Sequence, residues 1–212
     1  SFSEHVKSKL KIIHYCGGDG ESYAQFNDTE SIRTACAHKL MKAIERHDPE
    51  NKHKRYYIGQ GINFNNFYEK SPEESIYNKY RDKNKINILC CGSRGGGPKS
   101  NKGVYDIIEA SKLLDEDKYN FIYFDLTRQG FFPKNFSCIE TIARQNSLCD
   151  VYAIADIFVA PDYVSAWNCC AGEAMACGKP VIASMKGSED FGIDGETCLF
   201  FQEGTEESPK IL

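Results

Sequence analysis

The sequence lacks a surplus of basic charge, a long apolar run and the closely spaced ligand pairs of zinc sites. Its 212 residues carry a formal net charge of −4, without the positive surface that nucleic-acid binding uses, so we expect no nucleic-acid partner. No stretch approaches the roughly 20 apolar residues of a membrane-spanning helix, so we expect at most peripheral membrane contact. We therefore expect small molecules or proteins as partners.

Ten cysteines and five histidines are present, but their spacing does not support a metal site. The cysteines form no Cys-x-x-Cys pair, and several stand in apolar runs such as Ile-Leu-Cys-Cys at 88–91, where a free thiol packs as a small hydrophobe. Among the histidines only His14, at the end of a predicted strand, has a position suited to a cleft. We expect reduced thiols, no metal, no cofactor and, since the start has no signal-peptide layout, a cytoplasmic protein.

The first quarter of the chain has the pattern of a small α/β unit. An apolar run at 11–16 closes on Gly-Gly-Asp-Gly and predicts a strand. A helix is predicted next, capped by Asp28 or Thr29 and continuing to His47, because apolar residues recur at helical spacing. A second strand is predicted at 55–59.

From residue 85 onward short apolar runs alternate with helical patterns, whereas residues 65–84 lack a sustained pattern and are interpreted as a connector. The alternation favours a parallel sheet with helices on both faces. Such sheets bind ligands at the carboxyl ends of their strands. The predicted strands lie at 86–91, 120–125, 156–160, 180–184 and 197–201, and the predicted helices at 103–114, 146–154 and 169–177.

One stretch carries most of the functional information. Residues 155–162 read Ala-Asp-Ile-Phe-Val-Ala-Pro-Asp, a buried strand and a loop, and residues 173–181 read Glu-Ala-Met-Ala-Cys-Gly-Lys-Pro-Val. Backbone amides at the start of the intervening helix, around 168–170, can hold a phosphate with help from the helix dipole. Glu173 can accept hydrogen bonds from ribose or sugar hydroxyls. A strand, loop and helix with one glutamate also occur without such a site, so both interpretations stay open.

The same stretch resembles the donor-site signature of the retaining glycosyltransferases of family four. That signature reads Ala-Asp-hydrophobic-Val-x-Pro-Ser, then Glu-Gly-Phe-Gly, then Glu-Ala-Met-Ala-x-Gly-x-Pro-Val, with two glutamates eight positions apart facing the nucleotide sugar. Glu173 matches the second glutamate, which contacts the ribose, but Ser165 stands at the place of the first. Because serine carries no charge, the resemblance implies either a different donor sugar or weakened catalysis.

A glycine-rich loop follows the predicted strand at 86–91. Residues 92–103 read Gly-Ser-Arg-Gly-Gly-Gly-Pro-Lys-Ser-Asn-Lys-Gly, which is not a phosphate-binding Walker loop. Glycines allow close approach of a ligand, and Arg94 and Lys102 supply cationic charge for a diphosphate. This loop resembles that of the family, which has Gly-Arg, a short loop and then Lys-Gly. Here Arg94 is displaced by one residue from the usual place and the loop is longer. A solvated loop is the alternative for both cations.

Two further segments are similar to the family. Residues 186–200 resemble its Gly-Gly-x-x-Glu loop and the turn and strand after it, so Gly187 and Ser188 are expected to line the donor pocket. Residues 56–63 resemble the crossing between its two domains, and Gln60 replaces the usual asparagine there, which indicates a hinge role only.

The resemblance implies an α/β fold: a Rossmann-like parallel sheet with helices on both faces, as in the C-terminal domain of GT-B glycosyltransferases, preceded by a partial second α/β unit. The expected division is a partial N-terminal unit with the interdomain crossing at 1–64, a connector at 65–84 and the nucleotide-sugar-binding domain at 85–212. The expected catalytic residues are Glu173, Lys102, Arg94 and Ser165, and the expected nucleotide-sugar-binding residues are Gly92, Ser93, Trp167, Asn168, Cys169, Cys170 and Glu173.

The implied activity is metal-independent hexosyl transfer from a nucleoside-diphosphate sugar to an acceptor hydroxyl on an unknown glycan, lipid or protein. Since fewer than 65 residues are available for an acceptor domain, we expect either a fragment or a donor-binding subunit that uses a partner chain. One alternative is a non-catalytic nucleotide-sugar-binding or scaffold module that needs a partner chain. A second is a flavodoxin-like phosphate-binding domain, which would bind flavin.

Overall fold

The computed structural model divides the chain into two compact units. Unit 1 comprises Ser1–Gly61 with Val164–Trp167, and unit 2 comprises Ile62–Tyr163 with Asn168–Leu212. The residues that the structure describes are 10–16, 30–92, 102–125, 135–140 and 148–201.

Unit 1 is built on a three-stranded parallel sheet with the strand order β1-β2-β3. Its strands are β1 (Ile12–Tyr15), β2 (Ile32–Ala35) and β3 (Arg55–Tyr57), with helix α1 (His38–His47) after β2 and a 3-10 turn (Lys52–Lys54) before β3. Its core is small and built mainly of alanine and aliphatic side chains. The buried members are Tyr15, Ala35, Cys36, Ala37, Leu40, Ala43, Ile44 and Ala166.

The predicted helix before His47 is wrong in its first half. Ile32–Ala35 forms the central strand β2, and the helix begins only at His38. The apolar spacing is compatible with a helix, but β2 pairs on both sides, for example Ile32 with Ile12 in β1. A four-residue strand is too short to show a two-residue period, so pairing with its neighbours decides its conformation. The predicted caps Asp28 and Thr29 lie outside the described residues.

A buried ion pair joins β2 to the end of α1. The guanidinium of Arg33 is fully buried and contacts the carboxylate of Asp48, which is 5% exposed. The amide of Asn51 donates to both oxygens of Asp48, at 2.9 and 3.0 Å. Burial disfavours the ionised carboxylate, but the hydrogen bonds and charge that Arg33 and Asn51 provide outweigh it and lower the pKa of Asp48.

Unit 2 contains a six-stranded parallel sheet in the order β6-β5-β4-β7-β8-β9. The order reverses between β4 and β7, which lie side by side. The strands are β4 (Ile86–Cys91), β5 (Tyr119–Asp125), β6 (Ser137–Glu140), β7 (Ile157–Ala160), β8 (Val181–Ser184) and β9 (Leu199–Phe201). The helices are α2 (Glu74–Tyr80), α3 (Val104–Ser111), α4 (Leu148–Ala153) and α5 (Cys169–Ala176).

Helices cover both faces of this sheet. On β4, Leu89 and Cys91 face a core that includes side chains of α2, α4 and α5. The alternate residues Ile88 and Cys90 face a second core that includes side chains of α3. Two buried faces explain why β4 is apolar without alternation. The predicted Rossmann-like parallel sheet with helices on both faces is confirmed.

Two elements of unit 2 escape prediction from the sequence. Helix α2 lies inside the stretch interpreted as a connector, and it buries only Ile76, too little to produce a helical period. Strand β6 is a four-residue edge strand that pairs with β5 alone. Both elements are defined by contacts with distant residues: the amide of Glu73, which precedes α2, donates to the carboxylate of Asp150 at 3.1 Å.

Asp156, of the Ala-Asp pair in the signature, has a structural place at the amino end of β7. Its Oδ2 accepts hydrogen bonds from the backbone and side-chain amides of Asn87, at 2.8 and 3.0 Å. Its Oδ1 accepts one from Arg81 at 2.8 Å. Burial opposes the ionised form, but these hydrogen bonds outweigh it and lower the pKa of Asp156. Asp156 therefore links the amino-terminal ends of β7 and β4 and the residue that follows α2, on the side of the sheet opposite the carboxyl ends of the strands.

Asp156→Asn is expected to lower the free energy of unfolding by about 1 kcal/mol at neutral pH, a small value because the carboxylate is one-third exposed. Since the folded pKa lies below the ordinary value of about 3.9, this stability is complete above that value and is lost as the pH falls through the folded pKa. Denaturant unfolding over a series of acidic pH values should show the two proteins converging. The exposed replacement Asp117→Asn is the control, and a difference from wild type that does not shrink on acidification would contradict the assignment.

Candidate functional site

The carboxyl ends of β4 and β7, where the strand order reverses, bring together the polar groups of unit 2. Sheets of this order open a crevice at that point, and their ligands bind there. Lys102 stands near the start of α3, and Asp162 follows β7. Asn168 and Glu173 belong to the first turns of α5, which leads back to β8. Three chain segments thus contribute to one site.

Lys102 is held against the end of β7 by its neighbour Gly103. Gly103 has a φ of 61°, and a Cβ there would lie 1.9 Å from the carbonyl oxygen of Pro161, so only glycine allows this approach. The ammonium of Lys102 lies 2.5 Å from Oδ1 of Asp162. Burial disfavours its charge, but the charge of Asp162 and its hydrogen bond to Lys102 outweigh burial and raise the pKa of Lys102. The lysine therefore stays cationic.

Asp162 is the centre of the polar network. Its carboxylate is 4% exposed, and besides Lys102 it accepts a hydrogen bond from the side-chain amide of Asn168 at 2.9 Å. Its backbone carbonyl accepts from the hydroxyl of Ser184, at the end of β8, at 2.6 Å. Asp162 was not among the residues predicted from the sequence. The available signal was its place in the signature, where a serine is usual.

Asn168 caps helix α5 and uses its own backbone amide within the protein. Its side-chain oxygen accepts from the amide of Ala171 at 3.2 Å, and its N–H donates to the carbonyl of Gly187 at 2.7 Å. The amide of Asn168 is therefore not available to a phosphate, contrary to expectation.

Glu173 lies half-buried on α5 with its carboxylate held by Tyr152 of α4. The tyrosine hydroxyl donates to Oε2 at 2.7 Å, and the described residues offer no partner to Oε1. Burial raises the pKa of Glu173, and the hydrogen bond from Tyr152 and the charge of Lys102 offset this only in part. One oxygen is thus oriented by the protein while the other can accept from a ligand hydroxyl.

Two thiols complete the site, Cys91 at the end of β4 and Cys170 in the first turn of α5. The thiol of Cys91 donates to the carbonyl oxygen of Gly92 at 3.3 Å. The interaction with Cys91 and the charge of Lys102 lower the pKa of Cys170 against the effect of burial. All ten cysteines are free thiols.

A comparison with protein families decides the relationship that this geometry suggests. The family model described as "Glycosyl transferases group 1" matches residues 86–209, more than half of the chain. The chain belongs to the group 1 glycosyl transferases. No curated protein matches it closely enough to be assigned as a relative.

Solved structures match this glycosyl transferase chain in fold. The Anabaena protein Alr3699/HepE, in complex with UDP and glucose, is 17% identical, with a TM-score of 0.72 over 95% of this chain and 60% of that one. WaaG, a glycosyltransferase involved in lipopolysaccharide biosynthesis, is 19% identical, with a TM-score of 0.67 over 87% of this chain and 53% of that one.

A separately determined domain matches as well. The C-terminal domain of the group 1 protein LpcC from Francisella tularensis is 20% identical, with a TM-score of 0.55 over 71% of this chain and 84% of that one. These matches confirm the predicted fold of a GT-B C-terminal domain. The chain spans about 60% of the HepE length.

The other residues that were predicted to belong to the site lie in several parts of the chain. Gly92 directly follows β4. Its backbone amide donates to the carbonyl oxygen of Phe124 in β5 at 2.6 Å, and a Cβ at Gly92 would lie 2.0 Å from the hydroxyl of Tyr123. Ser93 and Arg94 lie outside the described residues. Cys169 is exposed at the start of α5. In the loop after β8, Ser188 is 1% exposed, and its hydroxyl has no partner among the described residues.

Three predicted residues belong to unit 1. The carbonyl of Ser165 accepts a hydrogen bond from the ammonium of Lys39, and Trp167 packs against the unit 1 core. His14 is exposed on β1 and shares a hydrogen bond with the hydroxyl of Thr34 at 2.7 Å. The functional roles of these three residues stay predictions.

The described residues contain neither a metal-binding cluster nor a membrane-spanning helix. In those ranges no group of three or more histidine, cysteine, aspartate or glutamate side chains could hold a metal ion. No described helix is both long and apolar enough to cross a membrane.

Proposed function

We propose that this chain is the donor-binding part of a glycosyltransferase that moves a hexosyl group from a nucleoside-diphosphate sugar to an acceptor hydroxyl. The observation that carries the proposal is the convergence of Lys102 and Glu173 at the point where the strand order of unit 2 reverses. A cation for phosphate and an anchored carboxylate for hydroxyls are the two chemistries that a nucleotide sugar requires. HepE, of similar fold, is seen with UDP and with UDP-glucose.

The proposed roles follow from charge and hydrogen-bonding capacity. Lys102 and the start of α5 stabilise the diphosphate as it leaves, with Arg94 as a second cation, so the reaction needs no metal. The free oxygen of Glu173 accepts from the ribose hydroxyls. Ser165 hydrogen-bonds the transferred sugar without contributing charge.

The proposed organisation keeps the boundaries expected from the sequence. Residues 85–212 form the nucleotide-sugar-binding domain, 65–84 the connector and 1–64 a partial N-terminal unit with the crossing. The acceptor is a glycan, lipid or protein, and the rest of its binding domain belongs either to a longer form of the same protein or to a partner chain. The place of action is the cytoplasm.

A second candidate function is a nucleotide-sugar-binding module without turnover. It is favoured by the neutral Ser165 at the place of an acid and by the pairing of Lys102 with Asp162. Hydrolysis or transfer of the bound donor by the purified chain would reject this candidate.

Calorimetric titration of the full chain with UDP, GDP and thymidine diphosphate, with a chelator present, tests the proposal. We expect saturable binding of one of the three and weaker binding of the matching monophosphate, because Lys102 contacts a diphosphate. Absence of binding by all three would contradict a donor site in this chain.

A further inference from the structure

Asp162 places a negative charge inside the site that is proposed to hold a diphosphate. One oxygen lies 2.5 Å from the ammonium of Lys102. The other accepts from the side chain of Asn168, which caps α5. The carboxylate thus engages both positive elements of the site, the lysine and the residue at the helix N-terminus.

The physical consequence is repulsion between this carboxylate and a bound diphosphate. Both anions require the same ammonium, and Asp162 is only 4% exposed, so water screens the two charges poorly. Helix and lysine alone would attract an anion, whereas the lysine–aspartate pair is neutral. The residue after the proline is a serine in the family signature and Asp162 here, so the charge distinguishes this chain from that pattern.

We propose that Asp162 is an internal competitor of the diphosphate for Lys102 and that it reduces the affinity of the site for nucleotide. The inference rests on the proposed function. Asp162 occupies the anion position of Lys102 while the site is empty, and a diphosphate displaces it. Weaker holding of the nucleoside diphosphate favours its release after transfer, a step that limits many enzymes.

The test compares UDP and uridine binding to the wild type and to Asp162→Asn, by calorimetry of the full chain. Asparagine keeps an oxygen for Asn168 but removes the charge. We expect UDP to bind about tenfold or more tightly to the variant, with uridine affinity unchanged because uridine carries no phosphate. The gain should disappear in Asp162→Asn/Lys102→Met. Asp117→Asn, an exposed charge removal, should match wild type.

The outcomes separate this inference from the proposed function. If the wild type binds UDP and Asp162→Asn binds it equally or more weakly, Asp162 orients Lys102 and the proposed competition is wrong. It is also wrong if the affinity for uridine rises as much as the affinity for UDP. Binding of UDP by the variant alone supports the inference. No binding of UDP, GDP or thymidine diphosphate by either protein contradicts both. Should the asparagine variant fail to fold, Asp162→Ser, with the serine of the family signature, gives the same comparison.

Discussion

Glu173→Gln is expected to weaken binding of the nucleoside diphosphate by about tenfold to a hundredfold, the loss typical of a hydrogen bond to a charged group. The glutamine keeps the size of the side chain and an oxygen for the hydroxyl of Tyr152, so the variant removes charge more than shape. Calorimetry with the nucleotide that the wild type binds measures the change. The loss should also appear with the nucleoside alone, because the proposed contact is to ribose.

Glu116→Gln is the matched control, since that side chain is exposed on the loop after α3. It should leave nucleotide binding at the wild-type value. Unchanged affinity in a folded Glu173→Gln protein would remove Glu173 from the site. A second variant, Tyr152→Phe, frees Oε2 of Glu173 and is expected to weaken binding less, because it removes orientation but keeps the charge.

Arg33→Met is expected to destabilise unit 1 by about 3 to 5 kcal/mol, because it leaves the carboxylate of Asp48 buried without its cation. The sequence has one tryptophan, Trp167, and it packs against the unit 1 core. Its fluorescence during denaturant unfolding therefore reports on this unit. The transition should move to lower denaturant concentration in the variant.

The control for Arg33→Met is Arg46→Met, which removes the same charge from an exposed position of α1 and should change stability by less than about 0.5 kcal/mol. The double variant Arg33→Met/Asp48→Leu should recover part of the loss, because it replaces both buried charges with apolar groups. Equal stability of the two single variants would show that the buried pair contributes nothing beyond surface charge.

The fold was predictable where one segment carries its own signal. Strands β4, β5 and β7 are apolar runs because both faces of the sheet are covered, and such runs are visible in the sequence. Strand β2 and helix α2 were not predictable, because β2 is defined by pairing with two other strands and α2 by contacts to distant residues. Local spacing contains neither kind of information.

The site, like the fold, was predictable only where a local motif identifies a residue. Lys102 and Glu173 follow from motifs, and the structure places them within electrostatic reach of each other. The partners that set their states, Asp162 for the lysine and Tyr152 for the glutamate, are 60 and 21 residues away in sequence. A spacing pattern cannot reveal such pairs, so the motif predicted a free cation where the structure has an ion pair.

The central claim is that a nucleoside diphosphate binds at the carboxyl ends of β4 and β7. A crystal structure of the full chain with the nucleotide that binds in solution tests it most directly. We expect the diphosphate within about 3 Å of the ammonium of Lys102 and a ribose hydroxyl at the same distance from Glu173. A nucleotide bound elsewhere, with Lys102 still paired to Asp162 and Glu173 without a ligand, would contradict the account.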